Sequence, residues 1–282
     1  MKEKFEKAKV LVEALPYLQK YKGQTIIIKY GGNAMKNDEM KKSVMRDVVL
    51  LSKVGIKIIL VHGGGPEINE TLKKMDIPSE FINGLRKTDK ATMNVVQMVL
   101  AGKVNKDLVG LIQANEGDAI GICGMDANFL KVKKVSEELG YVGEVCEVNI
   151  EFINKILDAG LIPVVSSIGV DENGDAYNIN ADDAAARIAG MMKATALINM
   201  TDAPGLLKDK DDPDSLIATI SVSEVPQLIR EGIVAGGMLP KVRSAVEAIR
   251  WGCKKVFIID GKVPHGIMVE MLSDEGLGTM FY

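Results

Sequence analysis

"TIIIKYGGNAM", Thr25 to Met35, decides how the rest of the chain is read. Its isoleucine run reads as a buried strand, because β-branched side chains suit a pleated surface. Lys29 ends that run, and a lysine belongs at the end of a buried strand when its ammonium faces something anionic. Gly31 and Gly32 follow. Without a Cβ they let backbone N–H groups come close to a ligand, and a helix after them would aim more donors at the same place. Strand, lysine and glycine turn together describe either a phosphate cradle or an ordinary strand-to-loop exit, and the rest of the chain must decide between them.

The arrangement recurs on the next strand. "IILVHGGGPEI" runs from apolar residues into Gly63, Gly64 and Gly65, then into a helix with Pro66 in its first turn, where a missing N–H costs nothing. Consecutive glycines cost up to about 1 kcal/mol each against alanine in regular structure, which a plain turn seldom requires. Two such turns, each at a strand end and each feeding a helix, place a ligand crevice at the carboxyl edge of a parallel sheet. Neither matches GxxxxGK[ST] or GxGxxG, so the commonest NTPase and dehydrogenase readings fail.

Further out, short apolar strands at 25–30, 57–62, 118–124, 162–169, 195–201 and 255–260 alternate with helical patterns. The helices are expected after Asn37 as N-cap, from Pro66, and over 88–101, 104–114, 149–159, 181–192, 223–231 and 238–251. Strands apolar on both faces between helices mean an α/β fold, a three-layer αβα sandwich around a mainly parallel sheet. A turn-rich segment near "GVDENGDAYN" suggests two lobes, 23–175 and 176–282, and "LLKDKDDPDSL" (206–216) reads as an exposed excursion. Residues 1–22 stand apart as an amphipathic helix with Phe5, Ala8, Leu11, Val12, Leu15 and Leu18 on one side. Pro16 should kink or break it, and its stripe is expected on its own domain or on another subunit.

Composition narrows the function classes. The 282 residues carry a net charge of −3 with 47% hydrophobic content, and the basic runs are as short as "KVKK" (131–134), so neither nucleic acid nor a membrane surface is an expected partner. Cys123, Cys146 and Cys253 are far apart, and with His62 and His265 they match no zinc spacing; reduced thiols in a cytoplasmic protein are expected. No apolar run nears the length of a membrane span, and the charged opening "MKEKFEKAKV" lacks a signal-peptide core.

In chain order, "KYGGNAM", "VHGGGPEI", "NGLRKTD", "YNINADDAAARIA", "TDAPGLL" and "GGMLPKV" resemble the motifs of the amino acid kinase family. They are most similar to members that phosphorylate the side-chain carboxylate of N-acetyl-L-glutamate in arginine synthesis, and the likeness spans Thr25 to Met280. It implies ATP as donor, with Mg2+ bridging phosphate oxygens and few protein ligands; no metal residues are named. Lys29 and Lys241 would neutralise the transferring phosphoryl group, and Asp182 would hold both lysines. Asp183 reads as an ordinary acid in a helix first turn.

Gly64, Gly65, Arg86, Asn178 and Asn180 would bind acetylglutamate, Arg86 clamping its α-carboxylate through two parallel hydrogen bonds. Asn180 reads equally as turn chemistry before a helix. Gly31, Gly32, Thr201, Asp202, Gly205, Leu206, Gly236 and Gly237 would lie near the nucleotide. The accepting carboxylate ionises near pH 4, so no general base is required. The C-terminal "HGIMVEMLSDEGLGTM" and the first helix resemble arginine-inhibited hexameric members, which implies His265, Glu270 and Gly276 as arginine contacts. A kinase for acetylaminoadipate, one methylene longer, uses the same apparatus, and a non-catalytic amino-acid or nucleotide sensor remains a rival from another class.

Overall fold

The computed structural model describes residues 2–32, 35, 37–274 and 276–282, with backbone alone for 2–8. Its centre is an eight-stranded sheet in which β1 (Thr25–Tyr30) lies between β2 (Lys57–His62) and β11 (Ala196–Thr201). Outward from β2 come β8 (Ile162–Ser166) and β5 (Ala119–Cys123); outward from β11 come β13 (Val256–Asp260), β14 (Thr279–Phe281) and β12 (Thr219–Ile220). Only the β13–β14 pairing is antiparallel. The seam between the chain's halves is therefore an ordinary strand pair, with Lys29 beside Asn199.

Both faces of this sheet are covered, as strands apolar on both sides require. One face packs against α2 (Asp38–Lys53), α4 (Lys90–Gln97) and α5 (Asn105–Gln113), burying Ile26, Ile28, Ile58 and Leu60. The other packs against α6 (Ile150–Asp158), α7 (Ala181–Met191) and α9 (Met238–Arg250), burying Ile27, Ile59, Leu197 and Ile258. Asn37, Asn149 and Asn180 cap α2, α6 and α7 with their side-chain oxygens.

Four sequence expectations are corrected. The run 162–169 is not one strand: β8 ends at Ser166, and β9 (Ile168–Val170) crosses into a separate four-stranded sheet with β6 (Leu130–Lys134), β7 (Gly143–Val148) and β10 (Ala176–Asn178). "KVKK" lies in β6, with Leu130 and Val132 inward and Lys131 paired to Glu147 on the outside. The helices expected at 88–101 and 104–114 are joined by a π-helical segment, Met98–Val104, whose extra residue per turn absorbs the apparent break. α1 (Lys2–Tyr21) continues through Pro16 as one helix, and it packs on α10 (Gly266–Leu272). Val10, Leu11, Val12 and Leu15 point to solvent rather than onto their own domain, while the side chains of Phe5 and Ala8 fall outside those described.

Candidate active site

The carboxyl edges of β1, β2 and β8 and the start of α7 enclose a cavity of about 240 Å³. Lys29, Gly31, Gly32, Gly64, Gly65, Arg86, Asn178, Asn180 and Asp182 all line it, although they lie up to half the chain apart in sequence. α3 (Gly65–Lys74) begins at its rim.

Asp182 organises the cationic wall. Its Oδ1 lies 2.8 Å from Lys29 Nζ and its Oδ2 3.5 Å from Lys241 Nζ, so one carboxylate holds ammonium groups from β1 and α9. The Lys29 approach is oblique, and Oδ1 carries no well-directed hydrogen bond. Burial alone would push the Asp182 carboxyl up. The charges of Lys29 and Lys241 outweigh it and hold the group below the usual carboxylate range. Asp182 is thus a fixed anion that carries no proton at neutral pH.

The glycine turns have distinguishable roles. A Cβ on Gly31 would rest 3.4 Å from Lys29 Nζ, on the path of the ammonium. Gly32 has φ +71°, a conformation side chains disfavour, and faces the Asp202 carboxylate. Gly64 is required by packing: a Cβ there would come within 2.7 Å of Leu100 on the π-helical segment. Gly65 meets nothing within 4 Å and opens onto the cavity.

Arg86, at the end of β4 (Leu85–Arg86), is 7% exposed and stacks over the ring of Phe81 in β3 (Phe81–Ile82) at 4.6 Å. Its guanidinium donates to Ser79 Oγ, to Asn69 Oδ1 at 2.7 Å and weakly to the Gly65 carbonyl at 3.5 Å. Every one of those acceptors is neutral. Among the described residues no carboxylate pairs with this buried cation, although burial disfavours its charged form. Such a charge, aimed at a cavity, is a site for an anion.

Asn178 donates to Thr88 Oγ1 at 3.3 Å. Asn180 performs the turn role its sequence context offered: its Oδ1 accepts from the Asp182 and Asp183 amides at 2.8 and 3.3 Å. That cap fixes the first turn of α7 and with it the position of Asp182.

Two residues that sequence reasoning did not single out support this floor. His62 is fully buried at the end of β2, and burial pushes its imidazole down to about 4, so it is neutral. Nδ1 is 2.8 Å from the Gly63 carbonyl and Nε2 is 3.1 Å from Asn105 Nδ2, which places the proton on Nδ1. Asn105 also donates to the Val164 carbonyl at 2.8 Å, tying α5 to the sheet beneath the triple glycine. A polar residue just past the 98–104 stretch was the available signal.

The remaining expected residues fall elsewhere. Thr201 ends β11 and Asp202 follows it, reaching toward Gly32. Gly205 sits against Leu216 and Thr279, where a Cβ would meet atoms at 2.7 Å, and Leu206 is buried in the core with its amide on Thr279 Oγ1 at 2.8 Å. Gly236 and Gly237 line a second cavity of about 770 Å³ beside the first turns of α7 and α9. Glu270 and Gly276 lie together, a Cβ on Gly276 coming 3.7 Å from Glu270 Oε1. His265 turns to α2, its Nδ1 2.6 Å from Asp47 Oδ1.

Known proteins with this organisation were compared with the chain. Residues 24–260 match the model of the amino acid kinase family. A protein of Brachyspira hyodysenteriae named acetylglutamate kinase is 53% identical over 279 residues, covering 98% of this chain and 97% of its own. One of the same name from Clostridium beijerinckii is 52% identical over 280 residues, with 98% of each chain covered. Among solved structures, smu.665 from Streptococcus mutans superimposes with TM-score 0.76 at 27% identity, covering 91% of this chain and 98% of its own. The N-acetylglutamate synthase of Neisseria gonorrhoeae, complexed with coenzyme A and N-acetyl-glutamate, has TM-score 0.85 at 24% identity, and the chain spans 63% of it. That last likeness is one of fold. No described helix is long and apolar enough to cross a membrane.

Proposed function

The chain belongs to the amino acid kinase family, and from that premise we infer that it is an acetylglutamate kinase, phosphorylating the γ-carboxylate of N-acetyl-L-glutamate in arginine biosynthesis. The observation that carries the reading to this chain's own residues is the buried guanidinium of Arg86, which meets only neutral acceptors among the described residues and lines one cavity with Lys29 and Asp182, the latter paired to Lys241. A substrate with two carboxylates meets both: one docks on Arg86 and the other points at the lysines.

The chemistry needs little beyond that. An ionised γ-carboxylate oxygen attacks the γ-phosphorus of ATP, the bond to the bridging oxygen breaks, and ADP leaves with that electron pair. No proton moves in this step, which suits a site whose neutral His62 is engaged with Gly63 and whose Asp182 is held ionised between cations. Lys29 and Lys241 offset charge spreading over the phosphoryl oxygens, and the amides around Gly31, Gly32 and Gly65 receive the phosphates. Asp182 fixes the lysines and takes no proton.

The nucleotide is assigned to the β11–β13 edge, past Thr201 and Asp202 and toward Gly236 and Gly237. Mg2+ would arrive on ATP, lowering the charge of its phosphates. We assign to the α1–α10 corner feedback inhibition by arginine and assembly into hexamers in the cytoplasm. The solvent-facing Val10, Leu11, Val12 and Leu15 support assembly, and the half-buried Glu270 supports a cation site.

The test is ATP-dependent acyl-phosphate formation, trapped as hydroxamate, with N-acetylglutamate and N-acetylaminoadipate in parallel. Expected is turnover with acetylglutamate at least tenfold above the longer acid, the scale that one methylene allows. Equal or reversed preference overturns the substrate assignment.

A further inference from the structure

α7 and α9 bring Asp182 to Lys241, and the contact between those helices has a second arm. Asp182 and Asp183 are neighbours in the first turn of α7, both with amides on Asn180 Oδ1. Lys241 and Ser244 lie one turn apart on α9. Asp182 Oδ2 faces Lys241 Nζ at 3.5 Å, while Asp183 Oδ1 accepts from Ser244 Oγ at 2.7 Å. Ser244 is 2% exposed, so its hydroxyl has little water to turn to.

We propose that Asp183 and Ser244 are positioning residues, a latch between α7 and α9 that sets where the Lys241 ammonium stands; this rests on the kinase reading above.

The physical case begins with the length of the Lys241–Asp182 pair. At 3.5 Å it is too loose to fix a flexible lysine stem by itself, and Lys241 is 26% exposed. The α9 start is also poorly tethered by sequence: Gly236 at φ +53° and Gly237 precede it, neither with a neighbour within 4 Å of a Cβ, and no side chain caps the helix. Apolar packing holds the body of α9 against α7, and at its loosely tethered start the Asp183–Ser244 bond is the polar contact one turn further in.

The hydroxyl has one proton and two acceptors, Asp183 Oδ1 at 2.7 Å and its own helix carbonyl at Pro240 at 3.0 Å. A carboxylate is the stronger acceptor, so the proton goes across to α7 rather than back into α9. Removing Asp183 would return it to Pro240 and leave the first turns of α7 and α9 joined by their apolar packing and the Lys241–Asp182 pair.

Charged neighbours sharpen the arrangement. Asp183 faces Asp182 on its own helix, Glu247 on α9 and Glu144 on β7, and burial with these like charges raises its carboxyl to about 6. It is nonetheless open to the 770 Å³ cavity, whose wall also carries Arg187 and Arg243.

The experiment uses the full chain and two readouts. Without substrate, acetylation of Lys241 by an N-hydroxysuccinimide ester is followed by peptide mass spectrometry in wild type, Ser244→Ala, Asp183→Ala, the double variant and Ser244→Thr. With ATP and N-acetylglutamate, kcat and KM are measured on the same proteins. The latch predicts a several-fold change in Lys241 labelling rate and about a tenfold fall in kcat for either alanine variant, with KM for acetylglutamate within twofold, as a displaced phosphoryl-neutralising charge gives. The double variant should be no worse than the slower single one, the mark of two residues acting through one bond. Ser244→Thr, which keeps the hydroxyl, should recover most of both.

Unchanged labelling of Lys241 in Ser244→Ala overturns the latch, as does a loss that is additive in the double variant. If wild type forms no acyl phosphate, the kinase reading falls while the labelling rates still decide the latch. Should Ser244→Ala not fold, Asp183→Ala and Ser244→Thr carry the same comparison.

Discussion

Buried and half-buried acids stand in two regions of this molecule, in opposite electrostatic company. At the sheet edge, Asp182 lies between Lys29 and Lys241, which hold its carboxyl below the ordinary range against the pull of burial. At the α1–α10 corner, burial dominates and raises both Asp47 and Glu270. Asp47 has His265 on one oxygen and the Met268 amide close by, and Glu270 accepts the Leu277 amide at 2.8 Å with no cation beside it among the described residues. The first region is complete and wants a transferring anion. Among the described residues the second offers Glu270 no cation. Arg86 is the mirror case within the first region, a cation that meets no anion among the described residues.

The comparison breaks most severely at the cations. Replacing Lys241 by alanine removes half the charge that meets the phosphoryl group. It should lower kcat by about 10²–10³, the effect of losing one preorganised transition-state donor. ATP affinity, read by equilibrium binding, should change far less. A variant that loses ATP binding while its kcat at saturation survives would place Lys241 in ground-state binding instead.

Arg86→Lys tests the complementary gap. Lysine keeps the charge and loses the planar fork, so KM for acetylglutamate should rise about 10- to 100-fold, the worth of one or two charge-assisted hydrogen bonds. The effect on kcat should be smaller. An equal fall in kcat with constant KM would mean that Arg86 acts on the transition state and not on the distal carboxylate.

At the other region, supplying or removing the missing partner should alter regulation and leave chemistry intact. Glu270→Gln takes away the anion that a guanidinium would meet, and deletion of residues 1–22 removes the helix that covers α10. Each should abolish inhibition by arginine in the hydroxamate assay while kcat stays within about twofold, since neither touches the cavity between Lys29 and Arg86. Full inhibition in the truncated chain would remove α1 from the regulatory assignment.

How far these regions were legible in the sequence differs for a physical reason. The central sheet was legible because β1, β2, β8, β11 and β13 are apolar on both faces and leave no alternative to burial. Lys29 and the glycine turns were conspicuous for breaking that pattern. The four-stranded sheet was not anticipated: β6 and β7 alternate polar and apolar residues, and lysine-rich "LKVKK" reads as surface until Glu147 is known to sit opposite. The pairing of Lys241 with Asp182 follows from a contact between α7 and α9, about sixty residues apart, which local pattern does not encode. The π-helical segment was hidden because its spacing mimics two helices with a break.

The smallest effect is on stability, and it separates the two kinds of acid by sign. Asp182, with a lowered carboxyl, contributes stability that is present above its ordinary value of 3.8 and is lost as pH falls through the lower folded value. Glu270 runs the other way. Its raised carboxyl means that the folded protein holds the proton more tightly than the unfolded chain does. Its ionisation therefore costs stability as pH rises from the ordinary 4.5 through the folded value, and the cost is full above that. Glu270→Gln keeps an acceptor for the Leu277 amide and carries no charge. It should raise Tm by about 1–2 °C at pH 7.5 and by nothing at pH 4, given that 1 kcal/mol moves a chain of this size by about 2–4 °C. A lower Tm for the variant at pH 7.5 would show that a cation already balances Glu270 in the free protein, and the contrast between the two regions would dissolve.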